Sequence, residues 1–144
     1  MFHKVKFVVP LPDLKLSIQF YEGVTKIYDV KKLFDKYPSF ISLRKEHLFK
    51  CVHVSEGGYG IIWNDNIDLS CNELWDNGVK VETCFDNLIA LSDATKLWRL
   101  NESTLRKAIS YGKLINGVDV MKYGKQWVIT MDAMKREYGE PRDD

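Results

Sequence analysis

The sequence predicts an α+β protein in two parts, a small antiparallel-sheet domain over residues 1–84 and a helical domain with a β-hairpin over residues 85–144. Three observations predict it. Apolar and polar residues alternate with period two through the first part, the spacing becomes three and four from residue 92 onward, and the charge balance changes where the two patterns meet. At 144 residues and 45% hydrophobic content, the chain can form one ordinary domain or two small ones, each with a core.

The elements follow in order. Residues 4–9 predict a first strand, closed by Pro10-Leu11-Pro12-Asp13. Residues 14–20 alternate strictly and put Leu14, Leu16, Ile18 and Phe20 on one face of a second strand. Tyr21-Glu22-Gly23 supplies a turn, and residues 24–28, rich in β-branched and aromatic side chains, return as a third strand. Asp29 then caps a short helix over residues 30–36 with Val30, Leu33 and Phe34 inward, and Pro38 stops it. A second short helix is expected over residues 40–45. Residues 48–55 read as a strand with Phe49, Cys51 and His53 opposite Lys50, Val52 and Val54. Glu56-Gly57-Gly58-Tyr59-Gly60 is a glycine-rich turn before the strand Ile61-Ile62-Trp63, and residues 68–77 read as a capped helix with Leu69 and Leu74 inward. Residues 78–85 carry no period and mark the junction, where Val79, Val81 and Phe85 can dock.

The formal net charge of +1 hides an asymmetry. Residues 1–84 carry 11 basic and 11 acidic side chains, whereas residues 94–136 carry nine basic and three acidic ones. Glu140, Asp143 and Asp144 then offset the excess. Such a basic segment suits a polyanionic partner. The competing reading is a solvated charged face.

From residue 92 the helical pattern is tightly punctuated. Ser92 caps a helix with Asp93 in its first turn and Ala94, Leu97 and Trp98 as its apolar stripe. After Arg99-Leu100, Asn101 caps a second helix with Leu105, Ala108 and Ile109 inward, ended by Gly112. Two short helices about three residues apart describe a helix-turn-helix. Residues 118–122 and 126–130 read as strands joined by Tyr123-Gly124-Lys125, and Thr130 caps a last helix through Met131, Met134 and Tyr138, ended by Gly139 and Pro141. The layout is that of a winged helix-turn-helix.

Leu91-Ser92-Asp93-Ala94-Thr95-Lys96-Leu97-Trp98 with Asn101-Glu102-Ser103-Thr104-Leu105-Arg106-Lys107-Ala108-Ile109 resembles small bacterial helix-turn-helix domains of the excisionase and MerR-like winged type. Residues 124–130 with Met134 and Tyr138-Gly139 are similar to the wing and closing helix of those domains, so the resemblance spans residues 89–141. One departure is Arg99 where such domains usually carry Gly, at a cost of roughly 1 kcal/mol if the residue is left-handed. It also places a positive charge beside the DNA. The first part resembles an uncharacterised small bacterial domain through Pro10-Leu11-Pro12-Asp13, Asp29, Gly57-Gly58-Tyr59-Gly60-Ile61-Ile62-Trp63 and Asp68-Leu69. That resemblance implies a place beside toxin and antitoxin genes and no activity.

The expected function is a sequence-specific DNA-binding transcriptional regulator, with an antitoxin or autoregulator of a toxin pair as its specific form. With Leu105, Ala108 and Ile109 inward, the second helix offers Ser103, Thr104, Arg106, Lys107 and Ser110 to a major groove. Arg106 can take guanine with two bonds, and Ser103 or Thr104 can meet base edges or a phosphate. Arg99 and the wing residues Lys122, Tyr123 and Lys125 supply backbone contacts. Glu102 either accepts from a cytosine amino group or favours the helix dipole. The expected partners are double-stranded DNA, a toxin protein and, because one domain reads few base pairs, a second copy of the chain. The alternative is an adaptor whose helix-turn-helix contacts protein instead of DNA.

An enzyme is not expected. Its best candidates, His47, His53, Asp65 and Asp68 with Cys51 and Cys71, lack ligand spacing, and nothing resembles a nucleophile elbow or a P-loop, so no cofactor or metal is expected. The three cysteines read as reduced, mostly buried thiols, and the four tryptophans as core aromatics. No apolar run reaches a bilayer span or forms a signal block, which predicts a cytoplasmic protein without membrane contact.

Overall fold

The computed structural model describes residues 2–142; Met1, Asp143 and Asp144, with the two terminal charges, lie outside the described residues. The chain forms two compact units, one up to Cys84 and one from Phe85. In both, helices accompany antiparallel sheets, so the fold class is α+β.

In the first unit, β1 (Val5–Leu11), β2 (Lys15–Phe20), β3 (Thr25–Asp29) and β7 (Val79–Val81) form a four-stranded antiparallel sheet in the order β1-β2-β3-β7. Strict alternation along β2 sends Leu16, Ile18 and Phe20 into the core and leaves Lys15, Ser17 and Gln19 on the other face. The first strand runs through the predicted stop at Pro10, which pairs opposite Leu16, and ends at Leu11. A proline is tolerated there because β1 is the sheet's edge and its missing N–H deprives no neighbour. The turn that follows holds Asp13 and Leu14 at φ 63° and 55°, with Lys31 bonded to the Asp13 carbonyl oxygen at 2.9 Å.

A second antiparallel sheet joins β4 (His53–Val54), β5 (Gly60–Asn64) and β6 (Ile67–Ser70). Gly60 is required by close approach, since a Cβ there would lie 2.3 Å from the Leu69 carbonyl oxygen. Between the elements, Leu33, Leu43, Phe49, Ile61, Trp63 and Leu74 join the β2 side chains in one core, and the Trp63 indole donates to the Phe49 carbonyl at 3.1 Å. Each such side chain contributes about 1.5–3 kcal/mol on burial.

Several expectations for this unit are corrected. The Asp29 cap holds, its carboxylate accepting from the Lys31 N–H at 3.1 Å, but the helix is a single 3-10 turn, Val30–Leu33. Pro38 opens the next 3-10 helix, Pro38–Arg44, where its fixed φ suits the first position. Residues 48–55 are not one strand. The short helix α1 (Glu46–Phe49) takes the first of them, leaving Phe49 and Val52 buried and Cys51 and His53 exposed, so the predicted shared face of Phe49, Cys51 and His53 does not form. Asp68 caps no helix, because Ile67 and Leu69 alternate into the core from β6. The cap of α2 (Cys71–Asn77) is Ser70, whose hydroxyl accepts from the Glu73 N–H at 3.1 Å. Only Cys71 of the three cysteines is buried. The junction holds β7, too short for a period to show, and Val79 and Phe85 are exposed.

In the second unit, β8 (Leu88–Ala90) runs straight into α3 (Leu91–Trp98). Ser92 is therefore not the cap. The helix starts from the strand end with Ala90 at the cap position, and the Ser92 carbonyl accepts from the Thr95 hydroxyl at 2.6 Å. α4 (Glu102–Ser110), the hairpin β9 (Val120–Tyr123) and β10 (Gln126–Thr130), and α5 (Met131–Tyr138) complete the unit, with the sheet ordered β8-β10-β9. Trp98, Leu105, Leu114, Ile129 and Met134 are its most buried large side chains, and the Trp98 indole donates to the Gly139 carbonyl at 2.8 Å. Thr130 caps α5 as expected, accepting from the Ala133 N–H at 3.0 Å. Asn87 supports the same helix end, its side-chain oxygen accepting from the Asp132 N–H at 3.0 Å.

Candidate nucleic-acid interface

The interface begins at the turn between α3 and α4, three residues long. Arg99 is left-handed there, at φ 54° and ψ 46°, and the Leu100 N–H donates to the Thr95 carbonyl at 3.0 Å across it. This is the hydrogen-bond pattern of a helix end at which glycine usually sits, and an arginine occupies it at the strained φ. Ala94, fully buried, leaves room for the second helix to pack closely on the first. α4 then begins after Asn101, which holds the cap position through its backbone carbonyl, accepting from the Thr104 N–H at 3.0 Å, and not through its side chain.

Leu105 and Ala108 are buried on α4 and Ile109 packs beside them, whereas Ser103, Thr104, Arg106, Lys107 and Ser110 are all exposed. Tyr111 and Gly112 end the helix, and Gly112 needs its positive φ of 81° for the chain to turn back, letting the Lys113 N–H reach the Ala108 carbonyl at 2.9 Å.

In the wing, Val120 and Ile129 face the core. Alternation places Lys122 and Trp127 on that same side of the hairpin, directly opposite each other in register, with the ammonium 5.7 Å from the indole centre. Met121 and Tyr123 lie on the other side, where Tyr123 lines a shallow groove of about 110 Å³ with Val118, Met121, Val128 and Leu88. Lys122 and Tyr123 thus share the hairpin but not a face. Lys125 stands exposed at the tip, beside Gly124.

The electrostatics are narrower than the charge count suggests. The Arg106 guanidinium donates to Glu102 at 2.7 Å, one helical turn back. Arg136 does not belong to the basic surface in the sense that the count implies. Its two terminal nitrogens bond Asp119 at 3.0 and 2.8 Å and its Nε bonds Glu137 at 2.8 Å. The Arg136 guanidinium, with the Ile115 N–H at 2.9 Å, holds the buried Asp119 carboxyl below the usual carboxylate range. Lys135 lies 3.9 Å from Glu140. Among the described residues, Lys107, Lys122 and Lys125 make no ion pair. Spacing alone could have revealed the Glu102–Arg106 pair, which sits at i, i+4; nothing local signals the Asp119–Arg136 clamp, 17 residues apart.

The exposed Cys51 thiol donates to the His47 carbonyl at 3.1 Å, His53 meets the Cys51 carbonyl at 3.1 Å, and burial pushes the Cys71 thiol up. Among the described residues, no three His, Cys, Asp or Glu side chains are placed to hold a metal ion.

A family model described as Protein of unknown function (DUF2442) matches residues 5–80, just over half of the chain. The chain belongs to the DUF2442 family. Its remainder carries a helix-turn-helix domain, matched by a model of that description over residues 81–143. In this DUF2442 protein the two models meet inside β7, while the contacts divide after Cys84. No curated protein matches the chain. Among solved structures, it is similar to the candidate DNA-binding protein NE0471 from Nitrosomonas europaea ATCC 19718, at 15% identity over 78% of each chain with a TM-score of 0.43.

Proposed function

We propose that this DUF2442 protein is a sequence-specific DNA-binding transcriptional regulator that inserts α4 into the major groove. The observation that carries this reading is the division of α4. Leu105 and Ala108 are spent on the core, while Ser103, Thr104, Arg106, Lys107 and Ser110 stand in solvent on a helix joined to α3 by three residues. Arg106 reads guanine, the hydroxyls meet base edges or phosphates, and Arg99, Lys122 and Lys125 contact the backbone.

The test is selection of duplexes from a random-sequence pool by the full chain. A shared motif is the expected result. Arg106→Ala relaxes the preference at one position and costs about 1–3 kcal/mol, and Lys125→Ala weakens all duplexes alike and flattens the salt slope by about one unit. Recovery of no motif, with both variants binding like the parent, overturns the reading.

The specific form we propose is an antitoxin or autoregulator acting as a homodimer in the cytoplasm, without catalytic activity. Among the described residues no helix is long and apolar enough to cross a membrane. The uncovered side of the four-stranded sheet, where Phe7, Val9 and Val79 are exposed, offers the second copy an apolar contact. Concentration-dependent mass by light scattering tests the dimer, and co-expression with the product of the adjoining gene tests the toxin pairing. The groove beside Tyr123 favours one second reading, an adaptor that holds a protein there. Salt separates the two, since DNA binding weakens steeply between low and physiological salt and an ordinary protein contact does not.

A further inference from the structure

We propose that Glu102 is a specificity-determining residue that restrains Arg106 until a guanine edge displaces it. The proposal rests on the DNA-binding reading of α4. Glu102 is the first residue of the helix and its carboxylate accepts from the Arg106 Nη2 at 2.7 Å, with both side chains more than half exposed. The contact draws the guanidinium back along the helix toward its N-terminal end, the end that meets base edges in a helix-turn-helix. It uses a single Arg106 nitrogen.

Two consequences follow from elementary electrostatics. An exposed ion pair of this kind is weak, so a guanine presenting O6 and N7 to both arms of the fork can replace it. A phosphate faces a different balance, because it must compete with the carboxylate for Arg106 while being repelled by that same negative charge one turn away. Lys107, which has no carboxylate partner among the described residues, is the neighbouring cation left for the backbone. Glu102 therefore taxes non-specific binding more than specific binding. It acts through Arg106 and is a positioning residue.

The test uses the full chain with Glu102→Gln, Arg106→Ala and the double variant, against two probes: the duplex selected by the parent and a short duplex of A·T pairs only, which offers no guanine. The expected result for Glu102→Gln is tighter binding of the A·T duplex, by about threefold to tenfold, with a smaller gain on the selected duplex, so that the specificity ratio falls. In the Arg106→Ala background the same substitution tightens the A·T duplex by clearly less, because only the direct repulsion of phosphate is left to relieve, a coupling that a structural role for Glu102 would not produce. Equal tightening of the A·T duplex with Arg106 present or absent overturns the proposal, since Glu102 is then a general repulsive charge. Weaker binding of the selected duplex with the A·T duplex unchanged also overturns it and makes Glu102 a cytosine reader. No effect on either probe overturns it as well. If the parent binds neither duplex, the DNA-binding reading falls first and this inference with it.

Discussion

Arg99 sets the terms at the scale of the residue. A side chain with a β-carbon is held at φ 54° because the helix end needs a left-handed residue for the Leu100 N–H to reach Thr95. Arg99→Gly is expected to stabilise the second unit by up to about 1 kcal/mol, since the relief of strain is partly offset by the freer unfolded chain. On the proposed DNA-binding reading the same substitution is expected to weaken duplex binding, so a thermal melt and a titration should move in opposite directions. Asp119 is the second residue with a clear consequence. Its carboxyl lies below the ordinary range, so the stability it contributes is present above about pH 4 and is lost as the pH falls through the lowered value. Asp119→Asn should flatten the acid limb of the unfolding curve followed by circular dichroism, and Asp119→Ala, which also leaves the Ile115 N–H without its acceptor, should cost about 1–3 kcal/mol.

Elements form here for reasons that differ between strand and helix. β2 was legible because each second residue is apolar, and α4 because its stripe repeats at three and four. β7 and β8 were not legible, as each has three residues and exists only because β3 or β10 offers a partner edge. The wrong faces in residues 48–55 have the same origin: a turn of helix fits the 3-10 segment before it, and that contact overrode a weak alternation. Caps divide similarly. Thr130 and Asp29 act as read, whereas Ser92 is bypassed by a strand feeding the helix directly, and Ser70 with Glu73 at i+3 was a legible signature. Thr130→Ala should therefore destabilise α5 by about 1 kcal/mol, seen as a lower midpoint in urea with an unchanged slope.

At the scale of the whole molecule, two separate cores predict two separate folding units. Fragments 1–84 and 85–144 should each show a cooperative thermal transition by calorimetry; a fragment that stays unfolded would show that its core is insufficient alone. The candidate interface draws on the second unit alone, so fragment 85–144 is expected to keep sequence preference while losing affinity if the first unit supplies the dimer contact.

The sequence by itself determined the α+β class, the order of most elements, the turn of three residues and the outward set on α4, because each is a local pattern of period, cap or turn chemistry. Only the tertiary structure decided which charges remain available. Arg136 is spent on a buried aspartate 17 residues away, and Lys122 and Tyr123 face opposite sides of one hairpin, whereas the Glu102–Arg106 pair, one turn apart, is local and legible in the spacing. A count along the chain gives every cation equal weight. Folding assigns each one its neighbours, and an ion's neighbours fix what it can still bind.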